Sequence, residues 1–245
     1  MLVALIGLIV GIAVGATGVG AGILTVPLLV VLAGKPAVES VGAALLFSTI
    51  IKTLATVRFQ FRRQVDWRTL GWLSLGGVPG VLAGSLFLKQ LNEKSLRYAL
   101  LGVGATVTLT AALSLVQSLR SPQNGQWRLK PLGAISFLLG IQVGFSSSGA
   151  GALGCIALFH FTPLSSAAVV GTDLAYGLLL SATGGLMHVT FSGWQTSLLA
   201  ELLAGGLVGV LAGTQIVTMV STRRLRQIIL IWDAILGAAM VYKTF

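Results

Sequence analysis

The sequence predicts an all-α, polytopic membrane protein made of two tandem homologous halves. Three observations predict it. The 245 residues are 55% hydrophobic and 9% charged, where a soluble domain carries roughly 25% charge, and the mean hydropathy is +0.95. Apolar stretches recur at about 1–33, 38–57, 69–88, 96–118, 131–161, 165–190, 195–219 and 225–242, most of them near the roughly 20 residues that cross a bilayer as a helix. The chain also matches itself at a constant offset of 129 residues. So little charge excludes a soluble enzyme, a disordered tail and a nucleic-acid binder. The net charge of +10 lies mostly between apolar runs, where membrane proteins keep their cytoplasmic anchors. The single Cys155 excludes an internal disulfide and a cysteine metal cluster. Met1-Leu2-Val3 has no basic lead-in, so it reads as part of the first membrane segment rather than as a cleaved leader.

The first stretch runs past thirty residues, which as one straight helix would measure roughly 45–50 Å. Its centre reads Gly15-Ala16-Thr17-Gly18-Val19-Gly20-Ala21-Gly22, and glycine at that density weakens a helix by up to about 1 kcal/mol per residue. Two half-helices around a non-helical turn are expected; a kinked helix packed through small residues is the alternative. A turn of this kind must be buried in protein or line a wet cavity, because its free amides and carbonyls need partners. Segments 38–57, 69–88 and 96–118 follow as ordinary spans. The stretch 120–130 is the long polar linker. Segment 131–161 repeats the first, with Gly144-Phe145-Ser146-Ser147-Ser148-Gly149-Ala150-Gly151 at its centre, and three ordinary spans follow again.

The duplication pairs Gly15 with Gly144, Gly20-Ala21-Gly22 with Gly149-Ala150-Gly151, and Gly42 with Gly171. The run from Gly76 to Gly84 falls on that from Gly205 to Gly213 with seven of nine residues identical, and Leu96-Arg97 falls on Leu225-Arg226. The halves are therefore placed at 1–119 and 131–245. Paired halves with broken helices are the mark of transporters, whose sites lie near the midplane at the breaks. If each broken segment crosses, the repeats are parallel; if each turns back as a hairpin, they are inverted. With hairpins, Arg58, Arg62, Arg63, Arg68, Arg120, Arg128, Lys130, Arg223, Arg224 and Arg226 share one side, against Lys35, Lys89, Lys94, Arg97 and Lys243 on the other. The crossing arrangement divides the charges almost evenly. The positive-inside rule favours re-entrant hairpins and inverted repeats, with the arginine-rich side cytoplasmic. Gly76, Gly80 and Gly84, like Gly205, Gly209 and Gly213, lie four apart on one helix face, where small residues let helix backbones approach closely in lipid.

Several of these residues resemble one family. Gly20 to Pro27, Gly171-Thr172-Asp173-Leu174, His188 and the two Gly-Gly-x-x-Gly-Val-Leu-Ala-Gly runs resemble the sulfite exporter TauE/SafE family of membrane anion permeases across nearly the whole chain. The chain departs from the family pattern in having Gly-Ala-Gly, twice, for three successive glycines, and in Ile156 opposite Pro27. The resemblance implies transport of small sulfur-containing anions such as sulfite, sulfonates or thiosulfate.

The residues point to the same class by a separate route. Each second half-helix begins near Gly22 or Gly151. Its first amides have no intrahelical acceptor, and with the helix dipole they form an anion site. Thr17, Ser146, Ser147 and Ser148 add hydroxyls, though bonding to their own turn is an equal expectation. Gly18, Gly20, Gly22, Gly149 and Gly151 let backbone approach a ligand, and Thr172 joins the substrate-binding set. Asp173, about eight residues into its segment, is a costly intramembrane carboxylate and a functional candidate by default, for a coupling proton or cation or as a helix cap. Lys52, inside its segment, either snorkels to the interface, the favoured reading, or attracts the anion. His188 reads as interfacial rather than as a proton relay, Glu201 as near a segment end, and Asp233 as an arginine partner. No catalytic residue, metal site or cofactor is expected, and the partners are the lipid bilayer, the anion and a second copy in a homo-oligomer. The expected location is multi-pass in the cell (inner) membrane. A cation or metal permease, or a non-transport membrane protein, is the alternative.

Overall fold

The computed structural model describes residues 1–17, 21–90, 101–106, 127–148, 151–192 and 196–216, with isolated positions elsewhere up to 242. Every regular element among them is helical: α1 (Leu2–Thr17), α2 (Ala21–Val31), α3 (Ala37–Phe61), α4 (Trp67–Gln90), α5 (Leu129–Ser146), α6 (Ala152–Phe161), α7 (Ser166–Ser192) and α8 (Thr196–Ile216). The expected spans at 96–118 and 225–242 and the linker 120–130 lie largely outside the described residues. Both long glycine-rich stretches are interrupted, as α1 and α2 in the first half and α5 and α6 in the second.

Local chemistry sets the boundaries. Between α2 and α3 the chain turns through Gly34 at φ +64°, and Pro36 precedes the first residue of α3. Arg63 at φ +53° ends α3 in a left-handed turn. Asp66 then starts α4, its carboxylate accepting the Thr69 N–H at 2.7 Å, a short acidic cap at the positive end of the helix. Five helices, α3, α4, α5, α7 and α8, are long and apolar enough to cross a membrane. Large apolar side chains such as Leu75, Leu138 and Leu211 stay exposed along them, as lipid-facing residues must.

The glycine faces fix the helix partners. A Cβ at Gly76, Gly80 or Gly84 on α4 would overlap the carbonyl oxygens of Gly133, Phe137 or Ile141 on α5, in that order. A Cβ at Gly7, Gly11 or Gly15 on α1 would overlap those of Leu202, Gly206 or Val210 on α8. The ascending order in both series makes each pair parallel. Approach this close brings Cα–H groups against carbonyls and lets dispersion hold helices that lipid does not push together. Of the two interrupted stretches, the first is thereby gripped through α1 by α8 and the second through α5 by α4. In the centre α3 and α7 run antiparallel, with Gly42 against His188, Gly184 against Leu45 and Gly185 against Leu46. The buried apolar side chains form two clusters: one gathers α4, α5, α6 and α7 with parts of α2 and α3, the other α1, α2, α3 and α8.

One hydrogen bond decides the course of the second broken segment. Arg128 N–H, at the start of α5, donates to the Phe161 carbonyl at the end of α6 at 3.0 Å. Two arms whose outer ends meet form a hairpin, so α5 and α6 enter and leave on one side even though α5 alone is long enough to span. The buried Tyr176 ties this hairpin to α7 by donating to the Ser136 carbonyl at 2.9 Å. Tyr176→Phe is expected to lower stability by about 0.5–1.5 kcal/mol, read as a lower melting temperature in detergent.

Candidate functional site

The site is built around the end of α5. Ser147 stops the helix in a left-handed conformation, φ +58° and ψ 4°, with its N–H on the Val143 carbonyl. The turn stays wired to itself: Ser146 Oγ donates to the Gln142 carbonyl at 2.9 Å, and Ser146 and Ser148 share a hydroxyl contact at 2.6 Å. Ser147 differs, since its buried Oγ has no hydrogen-bond partner among the described residues. The chain re-enters helix at Gly151, φ +111°, a conformation that L side chains rarely adopt.

The two breaks meet here. Gly22, in the first turn of α2, packs so tightly on Ser147 that a Cβ would overlap the serine carbonyl oxygen and Oγ. The open N-terminal turn of α2 thus lies against the turn at the end of α5. On the neighbouring side the Gly144 carbonyl faces Ser85 Oγ at 3.4 Å and His188 Nε2 at 3.5 Å.

Asp173, Lys52 and Cys155 converge beside the start of α6. The Asp173 carboxylate, 2% exposed, presses on Gly154 so closely that any Cβ there would overlap Oδ1. Lys52, 5% exposed, interacts electrostatically with Asp173 and with Cys155. Asp173 also acts electrostatically on Tyr176. A buried ammonium and a carboxylate therefore stand next to the first amides of a half-helix.

Of the residues singled out in the sequence, Gly22, Ser146, Ser147, Ser148 and Gly151 line the two breaks, and Lys52 and Asp173 stand beside them. Gly18, Gly20, Gly149, Asp233 and the Thr17 side chain lie outside the described residues. Thr172 is placed elsewhere: its Oγ1 accepts the Asp66 N–H at 2.9 Å and fastens the α3–α4 turn. Lys52 does not snorkel, because the middle of α3 is covered by its neighbours. His188 is not exposed at an interface; at 3% exposed it is held between Gly42 and Gly144, because that face of α7 is covered by α3 and α5. Glu201 is half exposed and takes the N-terminal ammonium of Met1 at 3.0 Å.

Gly154, Cys155 and Tyr176 were not legible as site neighbours. The one available signal was Gly154 lying three residues from Gly151, on the same helix face. A separate pocket of about 670 Å³, bounded by Phe87, Leu139, Phe145 and Phe161, is apolar apart from residues such as Gln142 and His160 and holds no member of the site.

Interrupted helices meeting inside a bundle of spanning ones, with buried charge beside them, define a membrane transporter. The comparisons with known proteins agree. The profile described as Sulfite exporter TauE/SafE matches residues 3–240. A Bacillus subtilis (strain 168) protein described as "Probable membrane transporter protein YjnA" is 31% identical over 237 residues, covering 91% of this chain and 92% of its own. No solved structure matches. The chain belongs to the TauE/SafE family. It is a multi-pass transporter of the cell membrane and not an enzyme.

Proposed function

We propose that the chain carries small sulfur oxyanions, such as sulfite, sulfonates or thiosulfate, by alternating access around the meeting point of the two breaks. The observation that carries this reading is the seating of Gly22 on Ser147, which puts the N-terminal turn of α2 and a hydroxyl with no partner among the described residues at one place. Amides at a helix start have no intrahelical acceptors and sit at the positive end of the dipole, so an oxyanion fits them. Lys52 supplies the attracting charge and Asp173 the coupling group.

The two halves, 1–119 and 131–245, are read as inverted repeats. The α5–α6 hairpin and the exchanged parallel pairs support this reading. It sets Arg62, Arg63, Arg68, Arg128 and Lys130 at one end, cytoplasmic by the positive-inside rule, and Lys35 and Lys89 at the other. Rocking of the group α1, α2 and α8 against α4, α5 and α6, about the central α3–α7 pair, would open the site to each side in turn.

Labelled sulfite, thiosulfate, sulfoacetate and chloride, assayed in proteoliposomes with and without a pH gradient, test the substrate class. The native chain supplies a second test, because Cys155 is its single cysteine and stands beside Lys52. Methanesulfonate, which does not itself react with maleimides, is expected to slow N-ethylmaleimide labelling of Cys155 several-fold, while chloride does not. Labelling indifferent to every anion that the protein carries would remove the site from this position.

A further inference from the structure

We propose that Lys52 and Asp173 form an exchange pair that makes the transporter take a monovalent oxyanion together with one proton. The inference rests on the anion reading above and adds to it the charge of the substrate and the stoichiometry.

The argument is charge balance in a place without water. Lys52 and Asp173 are both nearly fully buried and interact electrostatically. With the site empty, ammonium and carboxylate offset each other. An incoming oxyanion drawn to the same ammonium would leave one uncompensated negative charge, and burying a net charge in low dielectric is strongly unfavourable. A proton taken up from water onto an Asp173 carboxylate oxygen restores balance: one O–H bond forms, nothing is oxidised, and Lys52 is passed from the carboxylate to the anion. On release the anion leaves, the proton leaves, and the pair closes again.

Among the described residues, the charged and titratable groups on the elements around the pair are the following. From α3 the charge facing Asp173 is Lys52, which from α6 also feels Cys155; Tyr176 lies one turn along α7 itself. Neither α4 between Arg68 and Lys89 nor α5 beyond Lys130 carries a charged residue. Asp66, near by through Thr172, spends its carboxylate on the start of α4. His188 sits fifteen residues further along α7, at Gly144. The contact of Gly154 with Asp173 keeps the carboxylate at the positive end of α6, where its charged form is favoured while the site is empty.

The same balance selects the substrate. A monoanion with one proton leaves the buried charge unchanged, whereas a dianion with one proton leaves it negative, so the pair narrows the sulfur anions above to monosulfonates and hydrogen sulfite and excludes thiosulfate and sulfoacetate. Methanesulfonate is expected to enter and sulfate to be refused, though both offer the same sulfo oxygens.

The test uses the full chain in proteoliposomes, with the membrane potential clamped by potassium and valinomycin. An inward gradient of one pH unit should concentrate methanesulfonate up to about tenfold, with a flux indifferent to the potential. Asp173→Asn should lose the proton-driven accumulation and keep methanesulfonate exchange, which needs no net proton movement. As a second measure that needs no variant, the purified protein in weak buffer should take up one proton for each methanesulfonate bound. Flux driven by potential or by sodium, sulfate carried as well as methanesulfonate, or binding without proton uptake would each overturn the exchange pair while leaving the anion site in place. No flux of any anion and no protection of Cys155 would overturn the site and the pair together.

Discussion

Gly22→Ala is expected to abolish transport, with flux falling at least about a hundredfold, the loss that a misplacement of about 1 Å produces in a geometrically exacting site. One methyl group suffices because it would occupy the space of the Ser147 carbonyl oxygen and Oγ. The carbonyl belongs to the backbone, so rotating the serine side chain does not clear the way. Relief comes only by parting α2 from the end of α5, which separates the two breaks. Gly71→Ala on α4 is the matched control: a Cβ there meets nothing within 4 Å, and its flux should equal that of the wild type. Both variants should insert and purify normally, since Gly22 touches a turn rather than a spanning interface. Flux near the wild-type level in Gly22→Ala, at equal amounts of reconstituted protein, would show that transport does not use this meeting point.

Gly80→Leu should act on the fold instead. Its Cβ would overlap the Phe137 carbonyl and lie 3.0 Å from the Ile141 amide, in the middle of the parallel α4–α5 contact. Overpacking costs about 1–3 kcal/mol and occasionally more. The upper end is expected here, because the two backbones touch and the whole helix must move away. The hairpin arm then loses its grip along Gly76 and Gly84 as well. The measurements are a monodisperse peak in size exclusion and a melting temperature in detergent; both should fall far below wild type, with little folded protein recovered. A wild-type melting temperature would mean that the α4–α5 contact is looser than described.

These two variants also mark what the sequence could disclose. Glycine density at 15–22 and 144–151 exposed both interruptions, because helix propensity is a local property that a window of residues carries. The same holds for α3, α4, α7 and α8, whose apolar lengths place them within a few residues. The four-residue spacing of Gly76, Gly80 and Gly84 disclosed a packing face but not what it packs on. Nothing local distinguishes α5 from any other apolar helix as the partner of α4. The spacing of Gly7, Gly11 and Gly15 was equally visible, but its meaning appears only once α8 lies against it. Lys52 and His188 were misplaced for a related reason: depth along a segment says how far a side chain is from the interface, not whether other helices cover it. Asp173 was found because an intramembrane carboxylate stands out anywhere. Its neighbours Gly154 and Cys155 are ordinary small residues that only the folded chain brings to it.

The pairing of α1 with the distant α8 bears on how the protein is made. When α1 leaves the ribosome, the helix that covers its glycine face is still about 180 residues away, which at 5–20 residues per second is a wait of roughly ten seconds or more. Throughout that interval the glycine face of α1 lacks the helix that covers it, while α4 waits only for α5. Assembly is thus expected to run from the middle outward, with α1 among the last helices to find its partner.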